Sequence, residues 1–61
     1  MNESIKEEIQ AHIANLELEI ERSFRITSEL DPNTDIYWIM FGHYKETKIY
    51  QQELNALLER L

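Results

Sequence analysis

A single proline divides the chain into two halves of nearly equal length, and both halves carry a row of residues at helical spacing. Within each row the steps alternate between three and four residues, which keeps the row on one face of an α-helix. The first row is Ile9, Ile13, Leu16, Ile20, Ser23, Thr27 and Leu30. The second row is Ile36, Met40, His43, Thr47, Tyr50, Leu54, Leu57 and Leu61. Each half therefore predicts one amphipathic helix.

The position of Pro32 predicts where the first helix ends, because the residue before a proline avoids helical geometry. We expect one domain over residues 1–61, with a helix over about 4–30, a turn over 31–34 and a helix over about 35–60. Asn33 or Thr34 could cap the second helix, or Asp31 could cap it with Pro32 as the first helical residue. Either cap leaves a short connection, which predicts an all-α antiparallel helical hairpin.

The start of the second helix is the least regular part of the pattern. Six apolar residues follow one another over 36–41, and many of them are aromatic or β-branched, which also suits a buried strand. A lone strand has nothing to pair with in this chain, so we expect a helix. Gly42 lies inside this helix, where it predicts either a kink or a close contact.

The length of the chain predicts that the hairpin associates with another chain. A chain of 61 residues buries only about 60% of the surface that its unfolded form exposes, so its own core gives marginal stability. Chains of this size are usually supplemented by disulfides, a metal or a second subunit. Cysteine is absent, which leaves association as the expected supplement. We predict a homodimer in which two hairpins form a four-helix bundle.

Apolar residues remain on the outer sides of both helices after the two rows are used. In helical projection, Trp38 and Ile49 lie opposite the second row, and Ala14 and Leu18 lie opposite the first. Such patches mark interaction sites more often than chance. The candidate interface residues are Tyr37, Trp38, Phe41, Ile49, Leu18 and Ala14. They can form the dimer core, bind a larger protein, or cap the hairpin core near its turn.

Catalytic and metal-binding patterns are missing from the sequence. His12 and His43 would lie far apart along the hairpin, and a contact between His43 and Ser23 would be a buried hydrogen bond rather than a nucleophile and base. Thiolate, calcium-loop and phosphate-loop motifs do not occur. We therefore predict no enzyme activity, no cofactor and no metal.

The charge balance argues against two classes of partner. Twelve acidic and six basic residues give a net charge of −6, which opposes binding to nucleic-acid phosphates and to anionic membranes. No apolar run approaches the ~20 residues of a membrane span, and the first residues lack a cationic leader. We therefore expect a cytoplasmic protein.

Two resemblances bear on function. The acidic hairpin with Glu29-Leu30-Asp31 at its turn resembles the small plasmid copy-control proteins, which implies a dimeric four-helix bundle that binds RNA through a basic and aromatic face. The segment 51–55, Gln-Gln-Glu-Leu-Asn, resembles the Ser-Gln-Glu-Leu-Asp signature of small sporulation phosphatases that act on response regulators. Gln51 and Asn55 replace the serine and the functional aspartate, so the resemblance does not extend to the activity.

These observations favour a small protein–protein interaction module that regulates or inhibits a larger protein, such as a transcription or signalling factor. Its size and type are typical of regulators encoded by bacteria and their phages, which is an argument by analogy. The alternatives are a nucleic-acid-binding four-helix-bundle regulator and a phosphatase-like regulator of response regulators.

Overall fold

A computed structural model describes the backbone of residues 2–61 and the side chains from Glu3 onward. Helix α1 spans Asn2–Ser28 and helix α2 spans Asp35–Arg60, and the two pack against each other as a hairpin. The described chain contains no strand, so the prediction of an all-α hairpin is confirmed. The Cα atoms fill a slab of 48 × 15 × 11 Å, two helices wide and one helix deep.

The connection between the helices is longer than predicted, because α1 ends two residues earlier. The N–H of Glu29 donates to the carbonyl of Ile26 at 3.1 Å, and the N–H of Leu30 donates to that of Thr27 at 3.1 Å. Bonds to the third residue back tighten the last turn and end the helix. Pro32 lacks the N–H that would continue the α-helical pattern. Residues 29–34 therefore form the connection, in place of 31–34.

Thr34 occupies the N-cap of α2, as one of the two predicted arrangements requires, and the alternative with Asp31 as the cap is wrong. The Thr34 backbone is extended, at φ −116° and ψ 151°. Its hydroxyl donates to the carbonyl of Asp31 at 2.7 Å and makes no capping bond. The Asp31 carboxylate accepts the N–H of Asn33 at 2.9 Å. Asp31 thus holds the turn together, while Asp35 supplies negative charge to the first turn of α2.

The core between the helices is small and mostly polar. Ile20 is its buried apolar residue, and Ser23, Thr27 and Thr47 are buried beside it. Both threonine hydroxyls donate to the carbonyl four residues earlier at 2.7 Å, so they need no partner across the interface. These short side chains line the contact between the helices. The rest of the first predicted row, such as Leu16, is half-buried.

Helix α2 is rotated relative to the face that the sequence predicts. Tyr44 and Gln51 are half-buried, whereas His43, Tyr50 and Leu57 of the predicted row are exposed. The rotation has a polar cause. The side-chain amide of Gln51 donates to the carbonyl of Ile13 at 3.2 Å and to the carboxylate of Glu17 at 2.7 Å. These bonds hold the Gln51 side of α2 against α1 and turn the Tyr50 side outward.

Gly42 neither breaks α2 nor makes a close contact within the chain. The helix runs without interruption from Asp35 to Arg60. A Cβ atom added at Gly42 would meet no atom within 4 Å. Sequence reasoning gave a kink or a close contact at this position; the helix continues through Gly42, and the hairpin makes no close contact there.

Candidate interaction surfaces

Large apolar side chains lie on the surface of the hairpin along its whole length. A slab one helix deep cannot cover them, because only one side of each helix meets the other. The large apolar residues that stay exposed are Ile5, Leu18, Phe24, Ile36, Trp38, Ile39, Ile49, Tyr50, Leu57 and Leu61. They fall on separate faces of the slab, which differ in chemistry.

The first face carries an aromatic cluster near the turn. We define the aromatic cluster as Phe24, Tyr37, Trp38, Phe41 and Tyr44. Each ring lies 4.9–6.3 Å from a neighbouring ring, centroid to centroid. Most pairs meet edge to face or tilted, and Trp38 stacks on Phe41 with an interplanar angle of 11°. Both geometries are favourable for aromatic pairs. The contacts hold the cluster as one preorganised surface.

Trp38 joins the cluster to the turn. Its indole N–H donates to the carbonyl of Pro32 at 3.0 Å, while 61% of the residue stays exposed. The polar end of the indole is therefore satisfied inside the chain. The apolar ring faces solvent, which is the arrangement that lets a tryptophan bind a partner without leaving its N–H unpaired.

Two lysines and two shallow clefts border the aromatic cluster. The ammonium of Lys45 lies 5.6 Å from the ring centre of Phe41, and that of Lys48 lies 5.4 Å from the ring centre of Tyr44. A cleft of about 200 Å³ opens between Phe24 and the rings of α2. A wider cleft of about 340 Å³ continues past the lysines to Ile49. The surface suits a flat apolar group with a negative charge at its edge.

The opposite side of the slab carries both histidines, and we call it the histidine face. On α2 it consists of Ile39, His43, Glu46, Tyr50, Glu53 and Leu57. On α1 it consists of Ile5, Glu8, His12, Asn15, Glu19, Arg22 and Ile26. At about 100° per residue, each row stays within roughly 100° of arc on one side of its helix. The two rows flank the seam between the helices.

Two pairs of polar groups cross the seam on the histidine face. His12 Nε2 lies 3.2 Å from the hydroxyl of Tyr50, and the two rings meet edge to face. His43 Nε2 lies 3.1 Å from a carboxylate oxygen of Glu19. The contact that the sequence allowed between His43 and Ser23 is not formed. Ser23 donates to Glu19 on its own helix at 3.4 Å, and His43 lies beside the same carboxylate.

The six residues predicted as interface anchors fall into two groups. Tyr37, Trp38 and Phe41 lie together in the aromatic cluster, and Ile49 lines the adjoining cleft. Leu18 and Ala14 are exposed on the outer side of α1, where the structure brings no other predicted residue to them. The structure gives them no role beyond exposure.

Sequence reasoning missed Phe24 and Tyr44 as members of the cluster. Tyr44 lies three residues beyond Phe41 and seven beyond Tyr37, so its spacing places it on the same side of α2. Phe24 joins from α1, at a ring distance of 5.6 Å from Tyr44. The spacing signal was present for Tyr44, but no local pattern links Phe24 to it.

Groups that would support other chemistry are absent from the described residues. Among the side chains from Glu3 onward, no three acidic or histidine residues are grouped closely enough to hold a metal ion. Neither α1 nor α2 has the length and apolar character needed to cross a membrane. Comparison with protein-family models, with curated proteins and with solved structures gives no match.

Proposed function

We propose that this chain is a small, non-enzymatic protein-interaction module that self-associates and regulates or inhibits a larger protein. The observation that carries the proposal is the aromatic cluster, a preorganised surface on a chain with a very small core. Phe24 and Trp38 are exposed in this cluster, and its other three rings are half-buried. Tryptophan and tyrosine concentrate binding energy in protein interfaces. A surface held by ring contacts also loses little conformational freedom on binding.

The cluster favours a protein partner over a small molecule. Its clefts are open, and the aromatic rings present a broad outline rather than an enclosed pocket. Lys45 and Lys48 add positive charge at one edge, on a chain whose net charge is −6. We therefore infer that the partner presents an apolar patch bordered by acidic side chains to this edge.

Replacing the indole of Trp38 tests the proposal. A photoreactive residue at position 49, in the cleft beside the cluster, would identify the partner while Trp38 stays in place, and the affinity of the purified pair would then be measured. We expect Trp38→Ala to weaken binding by about 2 kcal/mol or more, roughly 30-fold, because it removes an exposed aromatic anchor. Leu18→Ala is the matched control, since Leu18 is exposed to 66% on the outer side of α1. Equal affinities for Trp38→Ala and the original chain would contradict the proposal.

One alternative draws on the same surface. Lysines interleaved with aromatic rings also suit a single-stranded nucleic acid, whose bases can stack on the rings. Such binding would weaken steeply as salt is raised, because phosphate contacts release counterions. Salt-sensitive binding of an RNA oligonucleotide that is lost in Trp38→Ala would favour this alternative over a protein partner.

A further inference from the structure

We propose that the histidine face is the surface on which a second copy packs, in an antiparallel arrangement that places the two turns at opposite ends of a four-helix bundle. The inference deepens the self-association part of the proposed function, which leaves open both the face and the orientation. It also separates two surfaces: the histidine face binds another copy, and the aromatic cluster stays free.

The surface area of the hairpin is consistent with a pairing of this size. The chain exposes 4848 Å². A compact monomer of 7.4 kDa is expected to expose about 4,200 Å², so each copy carries an excess of roughly 600 Å². Two copies that hid this excess would bury about 1,200–1,300 Å² in total, which reaches the range of standard interfaces.

The spacing of the residues in the α2 row is the same in both chain directions, which is what a two-fold interface requires. Its spacing is four, three, four, three and four residues, and it is symmetric about position 48. Two antiparallel copies of α2 centred there would align their rows residue by residue. The pairs that result are Ile39 with Leu57, His43 with Glu53, and Glu46 with Tyr50. Aliphatic groups thus meet at both ends, and each carboxylate meets a group that can donate a hydrogen bond.

The row on α1 comes close to the same property. Its spacing is three, four, three, four, three and four residues, so its pairs are centred on position 15 or midway between positions 15 and 16, and facing residues are offset by at most one position. The pairs between antiparallel copies are Ile5 with Ile26, Glu8 with Arg22, and His12 with Glu19. Asn15 meets its own copy at the centre, where two amides can bond to each other. Each of the two carboxylates in this row therefore meets an arginine or a histidine of the other copy rather than a like charge.

The two centres lie at nearly the same height in the hairpin, although nothing in either row alone requires it. The His12–Tyr50 and Glu19–His43 pairs fix the register of the two helices on this face. They place the middle of α1, at positions 15–16, beside positions 46–47 of α2. The centre of the α2 row is thus displaced by one to two residues, or ~1.5–3 Å. One two-fold axis can therefore relate both helices at once.

Charge also decides the orientation. If the two turns lay at the same end, α1 of one copy would face α2 of the other. The register of the hairpin would then place Glu8 within one residue of Glu53, and Arg22 within one residue of Ile39. Like charges across an interface are unfavourable, and the arginine would lose its carboxylate partner. The antiparallel arrangement avoids both conflicts.

The solution mass of two matched variants tests the choice of face. We expect a dimer near twice the chain mass of 7.4 kDa for the original protein. Ile39→Glu should shift it to a monomer, because it sets a carboxylate against Leu57 of the other copy. Leu18→Glu is the matched control, because Leu18 and Ile39 are almost equally exposed, at 66% and 65%. It should leave the dimer intact, since Leu18 lies on the outer side of α1 and not on the histidine face. A monomer at every concentration, or a dimer that Leu18→Glu disrupts and Ile39→Glu does not, would overturn the proposal.

Cysteine cross-linking tests the orientation, because the chain has no cysteine of its own. Under oxidation, an Ile39→Cys/Leu57→Cys chain should form a covalent dimer. The two positions are 18 residues apart on one helix, about 27 Å, so they cannot join within a chain. Ile39→Cys alone should not cross-link. A dimer without the disulfide, or one that Ile39→Cys links by itself, would contradict this orientation. A monomer that still binds a partner through Trp38 would refute the pairing and leave the interaction module standing.

Discussion

Replacing Gly42 by alanine should stabilise the protein, and the structure allows the size of the effect to be worked out. Gly42 lies inside α2, seven residues from its start, and its φ is not positive. Glycine therefore uses no conformation that alanine would refuse. A Cβ atom at this position meets nothing within 4 Å, so the substitution brings no clash within the chain.

The expected increase in the free energy of unfolding comes from an effect on the unfolded chain. Glycine has more backbone freedom to lose than alanine, which costs about 0.8–1.0 kcal/mol in a helix interior. We therefore expect Gly42→Ala to raise the free energy of unfolding by about 1 kcal/mol per chain. For a domain of this size, 1 kcal/mol corresponds to a rise in Tm of roughly 4–8 °C.

Thermal and urea unfolding followed by circular dichroism would measure the effect, at one fixed chain concentration because dimers unfold in a concentration-dependent way. Ala14→Gly is the matched control, since Ala14 is exposed in the middle of α1. It should lower the free energy of unfolding by about the same 1 kcal/mol. An unchanged or lowered Tm for Gly42→Ala, with the expected loss for Ala14→Gly, would refute the reasoning. It would mean that another chain approaches Gly42 closely.

Two further perturbations address the core and the aromatic cluster. Ser23 is fully buried between the helices, so Ser23→Leu should force them apart and cost about 1–3 kcal/mol or more in unfolding by urea. Ser23→Ala should cost less than about 1 kcal/mol, because the hydroxyl makes only a 3.4 Å contact with Glu19. Equal losses for Ser23→Leu and Ser23→Ala would show that the size of the side chain at position 23 does not limit how closely the helices pack. Trp38 is the sole tryptophan, and acrylamide should quench its fluorescence equally in dilute and concentrated protein. Quenching that falls as the dimer forms would place Trp38 inside the interface.

The helices and their pairing could be predicted from the sequence because they follow from strong local signals. The alternation of three and four residues determines the helices, and Pro32 determines where the chain reverses. The first row was also placed correctly, since Ile20, Ser23 and Thr27 are buried. A short connection then leaves little choice except an antiparallel hairpin.

The rotation of α2 could not be predicted in the same way. Its apolar and aromatic residues surround the helix, so periodicity alone does not choose between the Tyr50 side and the Tyr44 side. The choice depends on a contact across 34 residues of sequence, the 2.7 Å bond from Gln51 to Glu17. A glutamine is not counted in a pattern of apolar residues, so the pattern gives no indication of this bond. The exposed position of Ile39 follows from the same rotation.

That rotation also determines how a dimer would present its aromatic clusters. With the two-fold axis near position 48, Phe41 of each copy lies seven residues from the axis, so the two clusters sit about 21 Å apart along the bundle. They lie on opposite outer faces, because the histidine faces meet between them. One small partner cannot bridge both sites. The arrangement therefore fits two partner molecules per dimer, each bound at its own cluster, and avidity would arise only if the partners were themselves joined.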